Sequence, residues 1–487
     1  MSHSIKIKFG ILILYILWDC NIAHAQDIRL LSFEQAVTIA LSQNPSLEAA
    51  SEAIEASLHQ KKAAAGLRFP SLQLSGGYTH MQKTIGIDFN ALKAPARNLA
   101  QDLYPHLSDA LRPIAHKFLN ELMPKDWFYP IQERNWATIS TEVLVPIWHG
   151  GAINAANRAA TLQSKKATTQ CRSQKNALIS QLTERYFGVL LSEYVLRVRQ
   201  QVVRGMQHHL DDATALEKNG MIASTQRLYA AVKLKEAERQ ATEAQLEAAT
   251  LRKALATTLS TEERIMPITP LFVLDQLPDR NEHLQKVLTD NPQLEQIRLT
   301  ASLQKEALKG KRSEFFPSVS AMGAASLYND RVAAFVPRWA VGISVNFKLF
   351  NGLRREHQYA ALKSDLRRVE HLEHQMQDDL CLLIERQFNQ MQNALNTVVS
   401  IEKTLDFARA YLRQQELAFE EGMATMTDVI DAELNLASVR IERLKAAYQF
   451  DCLLSRLLET SGESQRFVTY TRSPQRRKIS YLEHENN

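Results

Sequence analysis

The sequence predicts a mixed fold in which long helical hairpins are joined to transmembrane β-strands. Three observations predict it: an internal duplication, two long proline-free stretches, and four segments in which apolar and polar side chains alternate. The 487 residues are 45% hydrophobic and 23% charged, which is enough for a large core. A formal net charge of +5 is too small for the whole chain to act as a nucleic-acid binder.

The internal duplication is visible as short segments that recur at fixed offsets. The segment NPSLE at 44–48 recurs as NPQLE at 291–295, an offset of 247. Further along, NGM at 219–221 recurs as EGM at 421–423, an offset of 202. The difference of 45 residues is an insertion in the first copy, between Thr79 and Arg134, where several prolines interrupt any long element.

Each copy reads as helix, strand, strand, long helix, turn and helix. The expected organisation is a first repeat over 26–262 that turns at Gly220, a linker over 263–280, a second repeat over 281–462 that turns at Gly422, and a basic polar tail over 463–487.

The amino terminus has the layout of a cleavable secretory signal over residues 1–25. Lys6 and Lys8 precede an apolar run at 9–18, which is too short to span a bilayer, and small residues follow at Ala23 and Ala25. Such a signal predicts that the mature chain is exported to the cell envelope.

The cysteines do not predict a disulfide framework or a metal motif. Cys20 is an alternative site of lipidation, although the large residues before it are unlike a lipobox. The other three are far apart on helical segments: Cys171, Cys381 and Cys452.

The four strand candidates are at 71–79, 136–148, 318–327 and 338–349. The last is the clearest, because apolar residues occupy every second position over about eleven residues, a bilayer-spanning length. Alternation alone also fits a soluble half-buried sheet. However, four strands cannot close a barrel, and isolated hairpins would leave open edges. Behind a secretory signal, we expect several chains to pool their strands in an outer-membrane barrel.

The proline-free stretches at 151–219 and 353–421 predict helices that would each run roughly 100 Å. Helices of that length need lateral partners. An apolar stripe through Ile430, Leu434 and Ala437 has the spacing of a coiled-coil seam. Packed side by side in a ring, such helices would leave a polar inner face that lines a conduit.

Together these segments resemble TolC-like outer-membrane efflux proteins. The resemblance is carried by the repeated Asn-Pro helices, the strand entries at 69–71 and 316–318, the strand end at 345–352 and the turn at 422–432, and it covers almost the whole mature chain. It implies a homotrimer in which a twelve-stranded outer-membrane β-barrel, with four strands from each chain, continues into a periplasmic α-helical barrel.

The resemblance also implies a function. It is that of the outer-membrane channel in a tripartite efflux or type I secretion system of a Gram-negative bacterium. The implied partners are a periplasmic membrane-fusion adaptor, an inner-membrane pump of the resistance-nodulation-division or ABC type, and outer-membrane lipids. No cofactor, enzymatic activity or nucleic acid is implied. The alternative is a periplasmic coiled-coil scaffold that transports nothing, which would leave the four alternating strands unexplained.

By the same resemblance, Asp428 and Asp431 form a channel entrance gate, with six carboxylates in three copies. Their spacing places them on one helix face, although Asp428 also fits a helix-capping role. In this family a basic and an acidic residue pair to hold the entrance closed, and we call this pair the latch. The two latch positions are Ala424 and Gln226 here, so the latch is not expected. Candidate adaptor-docking residues at the helical tips, which fit plain turn chemistry equally well, are Asn219, Gly220, Met221, Gly422, Met423 and Thr425.

Enzymatic motifs are absent from the sequence. There is no glycine-rich phosphate loop before a lysine, no GxSxG elbow and no HExxH zinc motif. His371 and His374 lie on one helix face, but a charged solvated face explains them better than a metal site. The insertion is expected to contain short helices, either as a cap on the outer mouth or as an ordered surface loop.

Overall fold

The computed structural model describes residues 28–330 and 337–480. The expected signal segment, Cys20 and the end of the tail lie outside the described residues. The strands are β1 (Ile28–Leu31), β2 (Ser71–His80), β3 (Ile85–Asp88), β4 (Phe128–Gln132), β5 (Asn135–Trp148), β6 (Arg264–Pro267), β7 (Leu271–Leu274), β8 (Ser318–Asp330), β9 (Trp339–Asn346) and β10 (Arg476–Ile479). The α-helices are α1 (Phe33–Gln43), α2 (Pro45–Gly66), α3 (Lys93–Leu103), α4 (Arg112–Lys117), α5 (Ala152–Lys218), α6 (Ser224–Thr258), α7 (Arg280–Asp290), α8 (Pro292–Arg312), α9 (Arg354–Glu420), α10 (Met426–Thr460) and α11 (Arg466–Tyr470).

The chain divides into two compact units. The first comprises Met1–Leu58, Leu162–Ser302 and Leu366–Asn487, and the second comprises His59–Thr161 and Leu303–Asp365. The first unit contains the helical turns and the main hydrophobic core, whereas the second contains the large sheet.

The large sheet is antiparallel with strand order β2-β5-β8-β9. All four predicted strands are present, and β9 ends at Asn346, three residues before the predicted end at 349. Within the described residues, β2 and β9 each pair on one side only, so they are the edges of this sheet. Their apolar side chains are exposed: Leu72, Leu74, Tyr78, Trp339, Val341, Ile343 and Val345.

The two long predicted helices are confirmed. Helices α5 and α9 each have 67 residues, and each is followed by a helix of 35 residues, α6 or α10. Among the described helices, none has both the length and the apolar composition needed to cross a membrane.

Unusual backbone conformations recur at matching positions of the two halves. Left-handed φ angles occur in pairs 202 residues apart: Gly150 and Gly352, Gly151 and Leu353, Gly220 and Gly422, Ser260 and Gly462. Two further contacts match. The Asn44 side chain donates to the Thr258 carbonyl at 3.2 Å, and Asn291 donates to the Thr460 carbonyl at 2.8 Å. The same local solutions therefore serve both halves.

The core of the first unit is built around Tyr186, which is fully buried. Its ring packs edge to face against Phe33 and Phe187. The segment expected to be a linker supplies β6, which pairs in parallel with β1, and β7, which pairs with β10 of the tail. The tail also places Phe467 in this core.

A second buried polar group in this core is Asp451 on α10. Its Oδ2 accepts the backbone N–H of Phe272 at 3.3 Å, and Oδ1 has no partner among the described residues. Burial raises the pKa of the Asp451 carboxyl well above its ordinary value. Burial therefore favours the neutral carboxylic acid in the folded protein, whereas water favours the carboxylate in the unfolded chain.

We predict that Asp451→Asn reduces the pH dependence of stability. A carboxyl whose pKa is raised on folding stabilises fully below its unfolded pKa, which is about 3.8, and this contribution is lost as the pH rises toward the folded value. The amide is neutral throughout, so the fall in melting temperature between pH 5 and pH 8 is expected to shrink. Circular dichroism melts in detergent measure this.

The matched control is Asp379→Asn, which neutralises an exposed carboxylate on α9. This control is expected to leave the pH dependence as in the wild type. An Asp451→Asn protein with the wild-type slope would show that Asp451 is ionised in the fold.

Candidate functional site at the helical turns

The turn after α5 is a glycine-terminated helix end. The Gly220 N–H donates to the Glu217 carbonyl at 2.8 Å, and the Met221 N–H donates to the Leu216 carbonyl at 2.9 Å. This is the Schellman pattern, which requires the left-handed backbone that Gly220 adopts at φ 72°. Asn219, Gly220 and Met221 are all exposed, so the turn offers its small residues and one apolar side chain to solvent.

The turn after α9 repeats this geometry. The Met423 N–H donates to the Ala418 carbonyl at 2.8 Å, and Gly422 adopts φ 73°. The Met423 side chain is 73% exposed, close to the 70% of Met221. The six predicted tip residues therefore divide between two similar exposed turns.

The helix that follows the second turn begins with a capping box. Thr425 Oγ1 accepts the Asp428 N–H, and the Asp428 carboxylate accepts the Thr425 N–H at 2.8 Å. The hydrogen bonds from the Thr425 hydroxyl and backbone lower the pKa of the exposed Asp428 carboxyl. Asp428 therefore has the capping contacts that its position in the sequence allowed.

Asp431 lies one turn further along α10 and makes a different contact. The Tyr229 hydroxyl, on α6, donates to Asp431 Oδ1 at 2.6 Å. This bond to the carboxylate raises the pKa of Tyr229 to about 12, so the phenol remains a donor at neutral pH. The contact connects the first helical hairpin to the second.

A second contact connects the same two hairpins. His209 Nε2 on α5 lies 2.8 Å from the Glu433 carboxylate on α10, and both side chains are mostly buried. The same carboxylate fills the space beside Gly205, where any Cβ would overlap it. A side chain at position 205 would therefore require the end of the Glu433 side chain to shift.

The first turn lacks the capping contacts of the second. Ala223 occupies the N-cap of α6 with extended backbone and makes no side-chain cap. Gln226, at the third helical position, is half-buried. Instead, Arg227 forms an ion pair with Glu217 across the turn. Ala424, at the other latch position, has no side-chain polar group, and its backbone N–H donates to Ala418.

The described residues contain no cluster of three or more histidine, cysteine or acidic side chains that could hold a metal ion.

The sequence pointed to Asp428 and Asp431 as candidate residues. It did not point to Tyr229 as the partner of Asp431 or to His209 as the partner of Glu433. Tyr229 precedes Asp431 by 202 residues, the offset of the two halves, so the pair joins equivalent positions. An alignment of the two halves places these two residues at the same position, and this could have indicated that they lie close together. No comparable signal exists for His209 and Glu433.

Comparisons with known proteins agree with this architecture. Residues 283–463 match the family described as outer membrane efflux protein. The alkaline protease secretion protein AprF of Pseudomonas aeruginosa is 22% identical over 321 residues, which are 63% of this chain and 65% of AprF. The match therefore spans slightly less than two thirds of that relative's length.

Three solved structures share the fold. The crystal structures of CusC give a TM-score of 0.70 at 14% identity, covering 88% of this chain and 91% of CusC. The outer-membrane channel OprN gives 0.70 at 15% identity, with coverage of 88% and 90%. The outer membrane protein VceC of Vibrio cholerae gives 0.67 at 15% identity, with coverage of 88% and 96%.

We predict that the two turns differ in stability because only one has a cap. Thr425→Ala is expected to destabilise the start of α10 by about 1 kcal/mol, the usual worth of an N-cap side chain. Ala223→Thr is its matched reciprocal, since it creates a Thr-x-x-Gln capping box with Gln226, and is expected to stabilise the start of α6 by a similar amount. Amide hydrogen exchange of each first turn measures both changes. Unchanged exchange in both variants would contradict the capping role.

Proposed function

We propose that this chain belongs to the TolC-like outer-membrane efflux protein family and that it is the outer-membrane channel of a tripartite efflux or type I secretion system. It would provide the exit duct from periplasm to exterior. AprF is named for alkaline protease secretion, and the structural neighbour OprN is an outer-membrane channel, and both descriptions fit an exit duct. Which substrate passes is a property that we assign to the partners rather than to this chain.

The observation that carries this proposal is the large sheet. In the described part of the chain, its edge strands β2 and β9 each have one unpaired side, and apolar residues of both strands are exposed, with Val341 77% exposed. In lipid, every backbone polar group must find a partner. A four-stranded sheet of this kind supports a barrel closed by several copies, in which exposed apolar side chains face lipid.

We propose that the barrel is a homotrimer with twelve strands, four from each chain. Adjacent copies would pair β2 of one with β9 of the next, which leaves no open edge. The paired backbone angles and the repeated asparagine contacts support an origin by internal duplication, with the repeats at 26–262 and 281–462. A soluble scaffold would leave the exposed strand residues without a role.

We propose that the start of α10 lines the periplasmic entrance. Asp428 and Asp431 are both exposed there, and three copies would bring six carboxylates together. Close like charges attract cations. In the absence of the family's latch, the hydrogen bond from Tyr229 to Asp431 and the contact of His209 with Glu433 would hold the two hairpins of each chain together.

We propose that the two exposed turns dock the periplasmic adaptor, which then connects the channel to an inner-membrane pump. The double change Met221→Asp with Met423→Asp is expected to abolish co-purification with the adaptor, because it places charge in a shallow apolar contact. The single-channel conductance should be retained. Leu246→Asp, on the exposed face of α6 away from the turns, is the control and should leave co-purification intact.

The entrance is tested by single-channel conductance in planar bilayers. The wild type is expected to show a small cation-preferring conductance. Asp428→Ala with Asp431→Ala should increase the conductance and reduce the cation preference, since the acidic ring is removed. Tyr229→Phe should increase the conductance while keeping the preference, because it retains both carboxylates. Asp211→Ala with Asp212→Ala removes the same charge from exposed positions of α5 and should change neither property.

Two negative outcomes of the conductance test contradict different parts of the proposal. A channel that the aspartate changes do not affect would remove these residues from the entrance but keep the duct. Folded trimers that never conduct would contradict the channel and favour the scaffold.

A further inference from the structure

The insertion (residues 81–134) joins β2 to β5 and has an unusual surface. It contains the antiparallel strand pair β3–β4 and, between these strands, the short helices α3 and α4 that the sequence predicted. Helices α3 and α4 contain no buried residue. Large apolar side chains are exposed throughout the insertion: Ile85, Ile87, Phe89, Leu92, Leu99, Leu103, Leu111, Ile114, Leu122 and Tyr129.

The insertion has almost no core of its own. Met123 is its single buried residue, and the one ring contact is between Phe118 and Trp127. Ordering this many residues costs conformational entropy that buried apolar surface must offset. Large exposed apolar patches mark interaction sites on proteins. The exposed faces of α3 and α4 therefore require a partner.

The base of the insertion fixes where that partner lies. The Met81 N–H donates to the Arg134 carbonyl at 2.8 Å, and Arg134 Nε donates to the Met81 carbonyl at 3.1 Å. These bonds join the two ends of the insertion just beyond the paired ends of β2 and β5, and β2 is an edge of the large sheet. In the proposed trimer that edge is the boundary with the next copy.

We propose that the apolar faces of α3 and α4 pack against the insertions of neighbouring copies, so that three insertions form a cap over the outer end of the barrel. This inference rests on the proposed trimeric channel. The occupant is a second copy because continuity with the β2 edge brings it there. Leu99 and Leu103 lie one turn apart on the same face of α3 and are its central contacts.

The charge of the insertion argues against a lipid surface as the occupant. Helices that bind membrane surfaces are rich in Lys and Arg on their polar face. The insertion has seven Lys or Arg against six Asp or Glu, so its formal net charge is only +1. Mixed charges of this kind are typical of a protein surface that surrounds an apolar contact.

The test is photo-crosslinking of the full chain in the outer membrane of intact cells. p-Benzoylphenylalanine replaces Leu99 in one variant and Gln101, two residues away on the opposite side of α3, in the matched control. Ultraviolet light is expected to give a product of about twice the chain mass from position 99 and little from position 101.

Every other outcome overturns the cap. A lipid or lipopolysaccharide adduct at position 99 assigns the face to the membrane, whereas no product at position 99, or equal products at both, shows that no copy covers it. Heat-resistant trimers are monitored in the same samples. Trimers without the crosslink contradict the cap alone, and absence of trimers contradicts the proposed function as well.

Conductance gives an independent readout of the same cap. Leu99→Asp with Leu103→Asp is expected to give trimers with a larger conductance, because the charged faces separate. Gln101→Asp is the control and should conduct as the wild type does. Unchanged conductance in trimers of the double variant contradicts a cap that narrows the mouth.

Discussion

The core of the first unit depends on the hydrogen bonds of the Tyr186 hydroxyl. This hydroxyl donates to the Leu31 carbonyl at 2.7 Å and lies 3.1 Å and 3.0 Å from the N–H donors of Ile268 and Thr269. Burial raises the pKa of this phenol, so it stays a neutral donor and acceptor. One side chain of α5 thus satisfies three backbone groups where β1, β6 and β7 meet. An apolar residue here would remove the Tyr186 partner of the Thr269 N–H inside the core, whereas the Ile268 N–H would keep its bond to the Leu31 carbonyl at 3.2 Å.

The two halves share the backbone geometry of their helix ends but differ in the polar contacts at their turns. Both halves use an asparagine to close the last turn of the shorter hairpin helix, and both reverse the long helix with a left-handed glycine. The halves differ at the turns. One has Thr425 and Asp428 as a capping box, and the other has Ala223 and an ion pair instead. The halves also differ at the equivalent positions 229 and 431, where the Tyr229 hydroxyl donates to the Asp431 carboxylate.

The second unit is governed by a different constraint, the need to pair backbone groups at sheet edges. The two edge strands carry exposed apolar residues, and β2 leads directly into the insertion. Within the described residues, β2 and β9 each lack a partner strand on one side, and the insertion has one buried residue. Both observations fit the proposed assembly with further copies.

The sequence by itself determined the features that local periodicity encodes: the four strands of the large sheet, the two 67-residue helices, their glycine turns and the short helices of the insertion. It also pointed to Asp428 and Asp431, which follow a recurring turn, and their role at a channel entrance stays a prediction. Only the tertiary structure decided the four-residue strands β1, β6, β7 and β10, which are too short for a period to be read. It also decided the contacts of Tyr186, Asp451 and Glu433 with residues distant in the sequence. The physical reason is that such contacts depend on how separate elements pack, which no local pattern records.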